Sequence, residues 1–347
     1  MFFIKCFKRL RRRETERNAL HKSLYFLSVC KYWMVMDIAI DVRDLTKRYG
    51  DVLAVDHISF KVREGEIFGF LGPNGAGKTT TIRMLIGILR PDEGSAIVNG
   101  FDIVEDTLSV RERIGVVPEV SNAYVDFSAW ENLMFIGELY GIPKSERVER
   151  AIRLLKDFGL YNVRDRIVKG FSKGMKERLL LCMALIADPD IIFLDEPTSG
   201  LDVESKWIVW DRIREENANG KTIFLSTHNM DEAQRLCHRI AIINHGRIAA
   251  IDTPEGLRAQ SVELQCVEVT FNMPVDSKEF LRRGEISKIS VSGRKVKIYT
   301  ADPSSVIEFA VDYAKKRGLR ILSLNTLLPS LEEVFLKLVR QHRGETV

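Results

Sequence analysis

Ile67-Phe-Gly-Phe-Leu71 runs without interruption into Gly72-Pro-Asn-Gly-Ala-Gly-Lys-Thr79, and this junction restricts the chain more than any other stretch. An unbroken apolar run reads as a strand buried on both faces, which requires helices to cover its sheet. The glycines that follow let the backbone wrap close to phosphate oxygens, where amide groups and a helix amino terminus favour anions. In such a loop Lys78 would reach the β- and γ-phosphates and the Thr79 hydroxyl would hold Mg²⁺. Asn74, Gly75 and Gly77 belong to the same cradle, and Thr80 can add a hydrogen bond near the α-phosphate. Alone, this motif says only that a nucleotide binds.

Four downstream motifs narrow the chemistry: Phe171-Ser-Lys-Gly-Met175, Ile191-Ile-Phe-Leu-Asp195-Glu196, Ser199-Gly-Leu-Asp202 and Ser226-Thr-His228. The apolar run at 191–194 places Asp195 at the end of a buried strand, where it can hold Mg²⁺ through water. Glu196 can orient or deprotonate an attacking water, assistance typically worth ~10²–10⁴ in rate. A strand-end Asp-Glu pair is weak evidence by itself; the phosphate loop upstream makes it specific.

Around these motifs the predicted elements alternate. Ile38, Ile40 and Val42, then Val55, Ile58, Phe60 and Val62, read as half-buried antiparallel strands. A helix is expected over Thr79 to Leu89, closed by Pro91, and short strands at Ser95–Val98 and Ile114–Val117. The pattern from Ser128 to about Gly170 is helical: Ser128-Ala-Trp-Glu131 is a capping-box start, and Val148, Ile152 and Leu155 mark one face of a second helix. Strands at Thr222–Ser226, Arg239–Ile243 and Arg247–Ile251 follow, the last two joined by a hairpin turn at Asn244-His-Gly246. Beyond Pro254 the order becomes strand, short helix, two strands, helix, strand, helix. There Ser305 and Ser330 are expected to cap helices, and Gly318 to end one. This predicts an α/β fold with an antiparallel β subdomain, a helical subdomain inserted at about 120–170, and a small C-terminal α+β domain over 265–347.

Charge and composition exclude some alternatives. The net charge is +4, but residues 1–35 carry nine Lys/Arg against two Glu, so the remainder carries −3. A mildly acidic body argues against a nucleic-acid-binding surface. The basic tail, 1–36, is read either as an attachment to an anionic membrane surface, as a disordered extension, or as sequence upstream of a true start at Met36. The longest apolar run, Leu179 to Ala187, is far short of the roughly 20 residues that span a bilayer, so a transport role needs a separate membrane partner. The five cysteines share no metal-ligand spacing and are expected to be reduced thiols.

Residues from about 37 to 257 resemble the ATPase subunit of an ABC transporter, because all five motifs occur in that family's order. The resemblance implies a P-loop NTPase of the ABC ATPase type that binds ATP and Mg²⁺. It places Tyr49 against adenine, His228 as the switch histidine at the γ-phosphate, and Asp202 in the loop joining two subunits' sites. The family's Leu-Ser-Gly-Gly-Gln signature reads Phe171-Ser-Lys-Gly-Met175 here. Ser172 and Gly174, implied to bind the γ-phosphate of the opposite subunit, are retained, while Lys173 and Met175 depart in the manner of exporter-type members. Where the family usually has glutamine, this chain has Glu119, which accepts hydrogen bonds but cannot donate them when ionised. It could still ligate Mg²⁺, yet would repel the γ-phosphate.

The resemblance further implies a second ATPase subunit, a homodimer or a heterodimer, and a multi-span permease that receives coupling contacts from the helical block around Trp130, Met134, Phe135 and Tyr140. The C-terminal Pro329-Ser-Leu-Glu-Glu-Val-Phe-Leu336 resembles the end of exporter ATPases for drugs, glycans, ions and lipids. The expected function is ATP hydrolysis powering export from the cytoplasmic face of a membrane. A soluble ABC-type ATPase acting on ribosomes or nucleic acid, and a nucleotide-sensing regulator, are the alternatives.

Overall fold

Two long strands, β1 (Ile38–Tyr49) and β2 (Val52–Arg63), form an antiparallel ribbon at the start of the computed structural model, which describes residues 38–259, 265–275 and 286–341. The basic tail and the short helix expected before residue 286 lie outside the described residues. β3 (Ile67–Leu71) enters the phosphate loop, and α1 (Lys78–Leu85) leaves it. Then come β4 (Glu93–Val98), β5 (Phe101–Asp102), α2 (Thr107–Arg111) and β6 (Ile114–Val117). The helical block holds α3 (Ala129–Leu139) and α4 (Lys144–Asp157) and leads into α5 (Lys173–Leu185). β7 (Ile191–Asp195), α6 (Val203–Ala218), β8 (Thr222–Thr227), α7 (Met230–Leu236), β9 (Arg239–Asn244), β10 (Arg247–Asp252) and α8 (Pro254–Ala259) follow. The C-terminal part comprises β11 (Cys266–Phe271), β12 (Ile286–Ser292), β13 (Lys295–Thr300), α9 (Pro303–Arg317), β14 (Ile321–Leu327) and α10 (Leu331–Gln341).

Three sheets result. The central one has six strands in the order β10-β9-β3-β8-β7-β6, parallel except for the edge strand β10. A four-stranded antiparallel sheet, β2-β1-β4-β5, covers one of its faces. Period-two geometry explains why β3 is apolar throughout: alternate side chains serve opposite faces. Phe68 and Phe70 join Phe60, Phe193 and Phe224 on the side of the antiparallel sheet, with Phe60 and Phe68 stacked 5.4 Å apart. Ile67 and Leu71 face the helical layer with Leu179, Ile213 and Leu225. Each such buried side chain contributes about 2 kcal/mol of transfer free energy.

The third sheet, β12-β13-β11-β14, is antiparallel and packs Val267, Val269 and Ile298 against Val306 and Ala310 of α9. Helix α10 does not close that core. Its Leu331, Val334 and Phe335 are buried in the helical layer of the ATP-binding part, together with Leu236 and Leu257. Tyr299 of β13 donates to Glu333 of α10 at 2.9 Å, tying the two together.

The helix ends show which local signals prevailed. Ser128 and Glu131 form the expected capping box, and Ser330 with Glu333 forms another. Gly318 ends α9 at φ 63. That helix starts earlier than Ser305 suggests: Pro303 occupies the first turn, where its fixed φ fits and its missing N–H costs nothing, so Asp302 takes the cap and accepts from the amides of Ser304 and Ser305. Helix α1 ends at Leu85 and not at Leu89, because Gly87 turns left-handed at φ 70 and the amides of Ile88 and Leu89 fold back onto the Arg83 carbonyl. The hairpin between β9 and β10 turns at His245 and Gly246, both at positive φ, as a type I′ turn requires.

Candidate functional site

The site begins where β3 ends. Gly77 sits at φ 107, and a Cβ there would lie 2.5 Å from the Ala54 carbonyl oxygen of β2, so only glycine lets the ribbon and the loop approach this closely. Asn74 and Gly75 are exposed at the loop tip, and Thr79 and Thr80 are half-buried in the first turn of α1. That turn contains no acidic residue, so its amide groups present an unopposed positive end. Tyr49 is 47% exposed at the tip of β1, in the hairpin whose other strand overhangs the loop at Ala54 and Val55.

Lys78 is buried, and its ammonium donates to the carbonyls of Gly72 at 2.7 Å and Pro73 at 3.0 Å. It also lies 3.1 Å from Glu196 Oε1. Glu196 comes from the end of β7, with a backbone at φ 54 that a non-glycine residue adopts at a cost of about 1–3 kcal/mol. This left-handed turn separates it from Asp195, which stays in the strand and accepts from Ser226 Oγ of β8. Glu196 swings instead between Lys78 and His228, whose Nδ1 is 2.5 Å from Oε2. Three motifs far apart in sequence thus converge in one line: Lys78, Glu196, His228. Lys78 holds its own loop and the carboxylate together.

Other predicted residues lie elsewhere. Ser172 is the exposed cap of α5 and accepts from the Met175 amide at 3.2 Å. Gly174 is buried against α6, where an added Cβ would stand 2.5 Å from Ser205 Oγ. Ser205 in turn binds Asp202, the cap of α6, through its amide at 2.8 Å and its hydroxyl at 2.9 Å. These bonds, the amide foremost, hold the Asp202 carboxyl below the usual range. Lys173 reaches over Gly200. The signature and the 199–202 loop therefore form one contact zone against α6, and the Ser199 amide ties that loop back to the Glu196 carbonyl at 3.0 Å. Glu119 is exposed just past β6, at the same sheet end as Asp195, and makes no hydrogen bond or ion pair among the described residues.

The donor set suits Mg²⁺. Thr79 and Asp195 offer hard oxygen ligands only, and among the described residues no group of three His, Cys, Asp or Glu is placed to hold a metal ion by itself. Mg²⁺ is held by one or two carboxylates plus phosphate oxygens and water, not by an all-protein cage.

Sequence reasoning missed the acidic pair behind this site. Glu232 of α7 is 1% exposed, and Glu177 of α5 is partly buried. The signal was present for Glu232: it precedes Ala233 and lies four residues before Leu236, on the apolar face of its helix. Burial pushes Glu177 from 4.5 up to about 8, opposed by Lys173 and reinforced by Glu232. The folded chain then keeps a proton that the unfolded chain releases, so stability falls as pH rises from about 4.5 to about 8. Glu177→Gln is expected to melt higher than the wild type at pH 8 and to match it near pH 4.5, in thermal melts across that range.

Known proteins resemble this chain over most of its length. Residues 55–199 match the family model described as ABC transporter. Nod factor export ATP-binding protein I of Rhizobium sp. (strain N33) is 40% identical over 302 residues, covering 87% of this chain and 97% of that protein. A solved ATP-binding subunit of an ABC transporter superposes with a TM-score of 0.60 at 32% identity, over 64% of this chain and 92% of the other. The cbiO1 protein of Clostridium perfringens, part of the transporter complex cbiONQ, gives 0.60 at 27% identity, over 65% and 92%.

Proposed function

We propose that this chain, which belongs to the ABC transporter family of ATP-binding subunits, is one half of a dimeric ATPase driving export through a separate membrane permease. The observation that carries the reading is the split site: Lys78, Glu196 and His228 meet in one chain, while Ser172 and Gly174 present a helix terminus outside it. A second copy facing the first would bring Ser172 and Gly174 of each chain to the nucleotide of the other. ATP then acts as the adhesive between copies, and hydrolysis releases them.

Within one half, position supports the following roles. Lys78 and the amides of residues 75–80 hold the phosphates, Thr79 and Asp195 hold Mg²⁺, and Glu119 stands at the metal side of the same sheet end. Mg²⁺ supplies charge neutralisation on the phosphates. Tyr49 offers its ring to adenine. Glu196 orients and deprotonates the water, His228 holds Glu196 and reaches the γ-phosphate, and Asp202 lies at the seam. The relative of Rhizobium sp. is named for Nod factor export and cbiO1 for its transporter complex; an exporter role with a permease partner at the cytoplasmic membrane face is the corresponding reading here. No helix among the described residues is long and apolar enough to cross a membrane, which fits a peripheral subunit.

Purifying the tagged chain from detergent-solubilised native membranes is expected to bring down a multi-span membrane protein in stoichiometric amount. Recovery with ribosomes, or without any membrane protein, would overturn the transporter reading and favour a soluble ATPase.

A further inference from the structure

We propose that Glu232 is a positioning residue for ATP hydrolysis, its buried carboxyl fixing the loop that follows Glu196 against the strand end that delivers His228. The inference rests on the reading of Glu196 and His228 as the groups that handle the attacking water.

Glu232 lies in the first turn of α7, which His228 precedes by two residues through the Asn229 cap. Its Oε1 accepts from Thr198 Oγ1 at 2.7 Å and from Trp210 Nε1 at 2.9 Å. Thr198 is two residues beyond Glu196 and 2% exposed; Trp210 belongs to α6 and is 4% exposed. Oε2 is buried without a hydrogen-bond partner, beside the Thr227 hydroxyl. Thr227 immediately precedes His228, and its Oγ1 accepts from the Asn229 amide at 2.9 Å. One carboxyl therefore meets the loop after β7, the body of α6 and the end of β8.

Packing alone does not require a carboxyl here. A leucine or methionine would fill the space without the desolvation cost that a buried polar group carries. What an apolar side chain cannot supply is an acceptor for two converging donors. Burial raises the Glu232 carboxyl above its usual range, opposed by the neighbouring Thr227, Trp210 and Thr198 side chains and reinforced by the charge of Glu196. Both donors converge on Oε1, so a single acceptor oxygen is all that Thr198 and Trp210 require. Glutamine offers the same oxygen in nearly the same place, so the conservative replacement should preserve the function.

The test uses the full-length chain, with turnover measured across ATP concentrations and ATP affinity measured separately at equilibrium. Glu232→Met and Thr198→Val are expected to lower kcat about 10-fold or more, the scale on which small misplacements of reacting groups act. KM and ATP affinity should stay within about 2-fold, since the phosphate loop is untouched. Glu232→Gln should remain within about 3-fold of the wild type in kcat. The Thr198→Val/Glu232→Met double variant should be no slower than Glu232→Met, because both remove one interaction. If Glu232→Met does not fold, Thr198→Val, which removes one donor at nearly constant volume, and Trp210→Phe, which removes the other together with part of the ring, decide the matter. Wild-type kcat in both, a Glu232→Gln variant as slow as Glu232→Met, or losses of affinity matching the losses of kcat would overturn the proposal. Glu196→Gln run alongside separates the two readings. If it is silent while Glu232→Met and Thr198→Val run at full speed, only the present inference falls. If it turns over at the wild-type rate, the reading of Glu196 falls and this one with it.

Discussion

Glu196→Gln is expected to lower ATP turnover by about 10²–10⁴ while leaving ATP binding intact or tighter. The loss in rate follows from chemistry: an amide cannot take a proton from water, and Glu196 is the carboxylate held by His228 Nδ1 at 2.5 Å. The gain in binding follows from geometry. Glu196 Oε1 lies 3.1 Å from the Lys78 ammonium, the group that must turn to the phosphates when ATP arrives. Neutralising the carboxylate removes both a competitor for that cation and a negative charge beside the γ-phosphate. Steady-state kinetics should show kcat falling with KM unchanged or lower, and equilibrium binding of ATP should separate the two effects. A variant that binds ATP more weakly than the wild type, or that hydrolyses it at a comparable rate, would remove Glu196 from this role.

Much of the architecture was legible in the sequence, because the decisive signals are local. The apolar runs at 67–71 and 191–194 are buried strands, since a strand with both faces covered has no room for alternation. The capping boxes at Ser128 and Ser330 formed because both partners sit within one turn. Local reading failed where a neighbouring residue offered a better local solution, as when Pro303 moved the start of α9 to an Asp302 cap. It failed also where the determinant was a contact across the fold. Nothing near Lys78 in sequence announces that its ammonium rests on Glu196, more than a hundred residues away. The left-handed backbone of Glu196 was equally hidden, because no glycine or asparagine marks it. The C-terminal helix was recognised as a helix, but its partner was not: α10 buries Leu331 and Val334 beside Leu236, the last residue of the helix that follows His228.

Lys78→Met should abolish ATP binding and also weaken the fold, and the second effect distinguishes this site from a loop that merely contacts phosphate. The side chains of Lys78 and Glu196 are 5% and 7% exposed, so each neutralises the other where water does not reach. Removing one partner of a buried pair leaves the other uncompensated, at a cost of about 3–5 kcal/mol. His228 remains on Oε2 and offsets part of this, which puts the expectation near the lower bound. Two loop carbonyls, Gly72 and Pro73, lose their donor as well. Lys78→Met/Glu196→Gln should therefore recover most of the lost stability, because no buried charge is left unpaired. It should recover none of the nucleotide affinity, because the cation that meets the phosphates is still missing. Denaturant unfolding of the four proteins, paired with ATP titration, measures both quantities in one cycle. Equal destabilisation of the single and double variants would show that Lys78 supports the fold through the loop carbonyls alone. Recovery in the double variant would show that the empty site is held together by the same two charges that ATP must separate.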